Sequence, residues 1–311
     1  MVNKVLIVHN EYQLPGGEDQ VVANELALLR RQGLDASVYR VTNHSIDGAG
    51  GKLRAALSAT YSLQARRRFD AQLTALRPDI VHVHNFFPLL SPSVYDACRD
   101  RGLPVVQTLH NYRILCPAAI LARDGQVCED CVGRMPLPAL LHRCYRRSMA
   151  GTLAVATMVG VHRLRNTWNH KVNRFIALTE FARDRFVRGG LEPERIAIKP
   201  NFIEDPYEGR WRQKQSRRGR ILFVGRLAPE KGISTLLDAW STDMPELVIV
   251  GEGPLSEQVR ARSGGNVRYL GALPRDGVAA EMAAADYLII PSEWYEGLPM
   301  TFVEAMAAGL P

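Results

Sequence analysis

The sequence predicts an α/β fold made of two doubly wound units. Short apolar runs alternate along the chain with segments whose apolar residues recur at helical spacing. Several runs end in Gly, His or Asn, which puts polar tips at the carboxyl ends of parallel strands, where open α/β sheets bind ligands. A polar stretch at 204–220, with six Arg or Lys between Arg210 and Arg220, separates two such series and reads as a linker. The 311 residues suffice for two domains, here 1–203 and 221–311.

Residues 3–9 read as the first strand. With one early Lys and a short apolar run, the opening resembles neither a signal peptide nor a spanning segment, and no stretch of 18 apolar residues exists. Gly16 and Gly17 then open a helix carrying Val21, Val22, Leu26 and Leu29. Paired glycines at a strand-to-helix turn let a ligand approach bare backbone, the alternative being a plain turn. Residues 36–41 form a second strand. Residues 52–76 read as one basic helix containing Arg66, Arg67 and Arg68, broken by Pro78. A buried strand at 80–83 ends at His84-Asn85, and one at 105–109 ends at His110-Asn111-Tyr112.

Cys116, Cys128, Cys131 and Cys144 follow in the spacing C-x11-C-x2-C-x12-C, with Cys98 apart. Four thiolates could hold a structural zinc ion, although only one x2 pair is present; the alternative is reduced thiols in a cytosolic chain. Arg143, Arg146 and Arg147 precede thirteen mostly small apolar residues at 149–161, and His162, Arg163, Arg165, His170, Lys171 and Arg174 follow. That run is too short to cross a bilayer core of ~30 Å, so it is either a core helix or an interfacial one on an anionic membrane. The net charge of +7 suits an anionic partner, a nucleotide or a membrane surface. No zinc-finger or aromatic RNA-binding motif points to nucleic acid. A strand at 175–178, a helix from 179 to 190 and a strand at 196–199 complete the first unit.

The second unit begins with a strand at 221–224, then Gly225, Arg226, Lys231 and Gly232. A strand at 247–250 runs into Gly251-Glu252-Gly253, another at 267–270 into Gly271, and a fourth is expected at 286–290. Gly297 opens a turn, Pro299 suits the first helical position, and a helix over 299–308 should stop at Gly309. The start of such a helix offers unpaired N–H groups to phosphate. Glu296 and Glu304 bracket it, and carboxylates accept hydrogen bonds from vicinal hydroxyls.

The Glu296-x7-Glu304 spacing, opening with Glu296-Gly297-Leu298-Pro299, resembles the signature of retaining GT-B glycosyltransferases of family 4. Arg226-x4-Lys231 matches that family's diphosphate-binding pair, and Thr108-Leu109-His110-Asn111 resembles the setting of its donor-contacting histidine. Gly16-Gly17 resembles its glycine-rich loop, and residues 200–203 its crossover between domains. The resemblance implies two Rossmann-like domains facing across a cleft, and retaining transfer of a hexosyl-type group from a nucleoside-diphosphate sugar to a sugar or lipid-linked acceptor. Cell-surface polysaccharide or glycolipid synthesis at the inner face of the membrane is the implied setting. Arg226, Lys231, Glu296 and His110 would be catalytic, with the diphosphate itself taking the acceptor proton and no metal required. Gly16, Gly17, Gly225, Gly251, Gly253, Gly297, Leu298, Pro299, Met300 and Glu304 would line the donor, Glu304 at the ribose. Such a domain has further strands beyond 310, so the second is expected to be incomplete, with 286–290 as an edge. The rival readings are a nucleotide-sugar epimerase and a non-catalytic sugar-nucleotide or membrane-binding module.

Overall fold

The structure, a computed structural model, describes residues 2–11, 16–43, 48–205 and 219–311. It divides into two compact units, Met1–Leu121 with Glu129–Asn201, and Ala122–Cys128 with Phe202–Pro311. The main division falls between Asn201 and Phe202, and a short excursion at 122–128 groups with the second unit. Most of the linker, 206–218, lies outside the described residues.

The first unit holds strands β1 (Lys4–Glu11), β2 (Asp35–Thr42), β3 (Ile80–Asn85) and β4 (Val105–Leu109). After the hairpin β5 (Ala122–Arg123) and β6 (Gln126–Val127) come β7 (Arg174–Ala177) and β8 (Ile196–Ile198). The sheet order is β2-β1-β3-β4-β7-β8, and every pairing is parallel. Its helices are α1 (Gly17–Arg31), α2 (Gly48–Thr60), α3 (Leu63–Leu76), α4 (Ser93–Asp100), α5 (Leu137–Leu141), α6 (Met149–Leu164), α7 (Thr167–Lys171) and α8 (Glu180–Arg188). Parallel neighbours need such crossovers, and helices on the sheet explain why Val5–Val8 form a continuous buried run instead of alternating.

One expectation changes here, and one pair of alternatives is resolved. The single helix at 52–76 is two helices, because Ser62 is extended and its Oγ accepts the Ala65 N–H at 3.2 Å, capping α3. The apolar run at 149–161 is a core helix: Val155, Met158, Val159 and His162 are buried, while Met149 and Leu153 face outward.

The second unit holds β9 (Arg220–Val224), β10 (Glu246–Val250), β11 (Val267–Gly271) and β12 (Tyr287–Leu288), in the parallel order β11-β10-β9-β12. Its helices are α9 (Ile233–Ala239), α10 (Ser256–Ala261), α11 (Arg275–Ala284) and α12 (Met300–Ala307). Successive strand residues serve opposite layers. Phe223, Leu247 and Ile249 pack with Ile233, Leu236 and Val259, whereas Leu222, Val248 and Val250 pack with Met282, Ala305 and Leu310.

The strand expected at 286–290 is in register with β9 at Tyr287 and Leu288, the Asp286 and Ile289 N–H groups donate to the Arg220 and Leu222 carbonyls at 2.8 and 2.9 Å, and Ile290 is exposed. Pro291, lacking an N–H, cannot extend the ladder. Among the described residues β12 is the last strand of this order, and on its side away from β9 the Leu288 N–H donates to the Pro311 carbonyl at 2.8 Å. Pro299 is the extended N-cap of α12 instead of its first helical residue. The helix stops where expected: Gly309 adopts φ +62, its N–H bonds Met306 O, and the Leu310 N–H bonds Ala305 O at 2.9 Å, a Schellman ending.

Candidate functional site

Strand order locates a candidate site in each unit. Open α/β sheets bind ligands beyond the carboxyl ends of strands where the order reverses. In the second unit that point lies between β9 and β12, and in the first between β1 and β3.

At the β9 end the chain passes Gly225 and Arg226 into a single 3-10 turn, Pro229–Lys231, then Gly232 and α9. Gly232 has φ +67, and a Cβ there would lie 1.9 Å from the Pro291 carbonyl oxygen, so only glycine lets the two loops touch. This contact brings the segment after β12 against the turn. Lys231 Nζ donates to Glu296 Oε1 at 2.6 Å, and Ser292 Oγ donates to the same oxygen at 2.6 Å. The Lys231 ammonium also lies 5.1 Å from the centre of the Trp294 ring, a cation–π contact. Arg226 pairs with Glu230 one turn away and is 58% exposed, so the partnership is weak and exchangeable.

Gly251 and Gly253 back onto this turn. A Cβ on Gly251, whose φ is +135, would meet Gly225 O at 1.9 Å; one on Gly253 would meet Leu227 O at 2.4 Å. The protein's own backbone packing therefore explains both glycines. Gly297 and Leu298 lead into Pro299, which provides no side-chain cap, so the first amides of α12 are left to other acceptors. The Met300 side chain is buried in the unit, which leaves its backbone as the part that can meet a ligand. Glu304 is partly buried; burial raises its carboxyl pKa, against a lowering from Arg275.

In the first unit Gly16 caps α1 with open space at its Cβ position, and Gly17 starts the helix. Asp19 anchors that start, accepting the Gly16 N–H at 2.7 Å on one oxygen while the other lies 2.8 Å from His9 Nε2. His9 lies near the end of β1, at the point where the register against β3 slips between Val8 and His9. His84 Nδ1 lies 2.9 Å from His110 Nε2, and His84 Nε2 lies 3.1 Å from Glu25 Oε2. The same carboxylate oxygen is 3.3 Å from His82 Nδ1, and Lys199 pairs with the other oxygen. Burial pushes the His82 pKa down to about 3 and lowers those of His84 and His110. His84, His110, Asn111 and Arg113 border a small cavity.

Glu25, His82, His9 and Lys199 were not singled out from the sequence. Glu25 did carry a signal, a charged residue between Val22 and Leu29 on the inward stripe of α1, and His82-Val83-His84 puts two imidazoles on one face of β3. Among the described residues, Glu25, His82 and His84 bring ligand atoms close enough to hold a metal ion. Of the cysteines expected to hold a structural zinc ion, Cys116 and Cys131 are buried and Cys128 and Cys144 half-buried.

Residues 15–205 match the Glycosyltransferase Family 4 family, and residues 218–311 the family of Glycosyl transferases group 1. The phosphatidyl-myo-inositol mannosyltransferase of Mycobacterium leprae is 34% identical over 192 residues, 58% of this chain and 49% of that protein. The 2-deoxystreptamine glucosyltransferase of Streptomyces kanamyceticus is 30% identical over 86% of this chain and 65% of its own length. The chain thus spans about half the length of the mannosyltransferases it matches. Among solved structures, Anabaena Alr3699/HepE in complex with UDP and glucose covers 99% of this chain with a TM-score of 0.61 at 19% identity, 79% of that protein being matched. WaaG, a glycosyltransferase involved in lipopolysaccharide biosynthesis, gives 0.59 at 20% identity, with 99% and 80% coverage.

Proposed function

Since this chain belongs to glycosyltransferase family 4, we propose that it transfers a sugar, with retention, from a nucleoside-diphosphate sugar to an acceptor hydroxyl. The observation that carries this reading is the Lys231–Glu296 contact at the switch point of the second unit, beside the uncapped start of α12. A diphosphate there would meet the Lys231 ammonium, the α12 amides and the exposed Arg226, released from Glu230. Cations and helix amides aimed at a leaving group are often the largest single contribution to such a reaction. Glu296, paired with Lys231, accepts hydrogen bonds from sugar hydroxyls, and Glu304 does so from the ribose. The departing diphosphate takes the acceptor proton on the face it leaves, so no side chain need attack the anomeric carbon and no metal is required. Gly225, Gly297, Leu298 and Pro299 shape the backbone around the donor, while Gly16 and Gly17 leave room in the first unit.

The test is a panel of UDP-, GDP- and ADP-sugars scored by thermal shift and then by transfer to candidate acceptors, with anomeric configuration read by NMR. A bound donor at 100 times its dissociation constant should stabilise the protein by ~2.7 kcal/mol. Epimerised donor without acceptor, or tight binding with no turnover, would replace this reading by one of its rivals.

A lipid-linked acceptor is favoured by one surface. Leu137, Leu141, Met149 and Leu153 are exposed large hydrophobics, and Arg134, Arg143, Arg146 and Arg147 are exposed among them. No helix among the described residues is long and apolar enough to cross a membrane. The proposed contact is peripheral, on anionic lipid, and lies over α5 and the start of α6 instead of the buried face of 149–161.

A further inference from the structure

A carboxylate and two imidazoles form a hydrogen-bonded line in the first unit, from Glu25 through His84 to His110. Proton counting fixes its direction. Burial alone would raise the Glu25 carboxyl pKa, but His84, His82 and Lys199 together hold it well below the usual range. An ionised carboxylate only accepts, so His84 Nε2 carries a hydrogen. His84 is neutral, because burial lowers its pKa by more than Glu25 raises it, and a neutral imidazole has a single N–H. Its Nδ1 is then a bare acceptor. His110 is kept neutral by burial and by neighbouring His84, so it must place its one hydrogen on Nε2 to meet that acceptor at 2.9 Å. The lone pair left on His110 Nδ1 finds no partner among the described residues.

We infer that Glu25 and His84 are positioning residues that lock His110 in its Nε2–H tautomer, so that Nδ1 accepts a hydrogen bond from a ligand hydroxyl. Lys199 supports the line from behind by holding the second oxygen of Glu25. That ammonium already balances the carboxylate, which favours a hydrogen-bonded relay over a metal ion at Glu25, His82 and His84. Identifying the hydroxyl as part of a sugar rests on the transferase reading; the tautomer does not.

The test is nitrogen-15 NMR of the full chain labelled at histidine. Without ligand, His110 should show a protonated Nε2 and an unprotonated Nδ1, unchanged across neutral pH. Glu25→Gln, whose amide can also donate, should release the preference and give a mixture of His110 tautomers. The wild-type spectrum decides alone if that variant fails to fold. A hydrogen on His110 Nδ1, or an imidazolium near neutral pH, would overturn the assignment. So would one equivalent of zinc chloride shifting His82 and His84 together as ligands. UDP-glucose and GDP-mannose are then titrated in, with binding followed by calorimetry. A sugar nucleotide that binds and moves His110 Nδ1 supports the hydroxyl contact, and one that binds and leaves it unmoved overturns that contact. No binding of any sugar nucleotide would count against the transferase reading and leave the tautomer result as measured.

Discussion

Lys231 and Glu296, 65 residues apart in sequence, meet at 2.6 Å between Nζ and Oε1. The contact joins the turn after β9 to the loop after β12, so one pair of charges stitches the two strand ends that define the switch point. Both side chains are about one-fifth exposed, and Ser292 shares the carboxylate oxygen. A pair in that position both holds the loops and presents charge to a ligand.

Replacing either cation of the proposed clamp should separate these roles. Arg226→Ala and Lys231→Ala are each expected to cut the transfer rate by roughly a hundredfold, about 2.7 kcal/mol of barrier. Arg226→Ala should leave the melting temperature almost unchanged, because its partner Glu230 is held by an exposed contact. Lys231→Ala should also lower it, by roughly 1 kcal/mol of stability, since Glu296 loses a partly buried partner. Wild-type turnover in both variants would remove the clamp from the mechanism.

The glycines behind the turn should act on folding before they act on binding. Gly251→Ala places a Cβ 1.9 Å from Gly225 O at φ +135, a conformation L-residues rarely adopt. The second unit should lose several kcal/mol, on the order of other severe backbone clashes. Gly16→Ala, with open space at its Cβ, should leave the melting temperature near wild type. Equal melting curves for Gly251→Ala and wild type would mean that the close approach to Gly225 is not rigid.

The legible and illegible parts of this chain divide along physical lines. Strand positions were readable because buried parallel strands are continuous apolar runs, and the stop at Gly309 because a positive φ selects glycine. The two motifs of the second unit stood out because each is short in sequence, Arg226 to Lys231 and Glu296 to Glu304, whereas their meeting across 65 residues did not show. The break at Ser62 was harder, since a cap inside a basic helical pattern differs from an ordinary polar residue only through its backbone. The Glu25–His84–His110 line joins α1, β3 and β4, and no local spacing encodes such a meeting. The short β12 escaped because 287–290 is as apolar as a full strand, and only the backbone bonds to β9 show that pairing stops at Ile289.

Acid should unfold the first unit early. The His82, His84 and His110 pKa values are all lowered, chiefly by burial, from an ordinary 6.5, so below that value the unfolded chain binds protons that the folded chain refuses. Stability is then fully present above about pH 6.5 and falls with decreasing pH by about 1.4 kcal/mol per unit for each histidine. For His82 the loss continues to about pH 3. Glu25, also held low in the fold, adds to it below its ordinary 4.5. Urea midpoints measured at about pH 7.5 and about pH 5.5 should differ markedly, and His82→Asn should flatten the slope by one histidine's share. A pH-independent midpoint over that range would show that the histidines protonate without unfolding.

The exposed surface over α5 and the start of α6 gives the remaining prediction. Four large apolar side chains stand in water among four arginines, and Leu141 at 82% exposure is the most exposed of them. Scattered exposed apolar residues are ordinary, but a cluster of them with cations is a surface that anionic lipid can cover. The arginines supply the long-range attraction, about 1 kcal/mol each near an anionic surface, and salt screens it. The leucines supply the part that salt leaves intact. Flotation with vesicles containing anionic phospholipid should therefore recover the protein at low salt and less of it at high salt. Changing Arg143, Arg146 and Arg147 to Gln should release it. Leu141→Glu should weaken binding even where salt has already screened the charges, with little change in melting temperature because the side chain touches solvent and not the core. If the protein floated equally on neutral vesicles, or stayed bound after both sets of changes, this surface would not be the membrane contact, and the lipid-linked acceptor would lose its structural support.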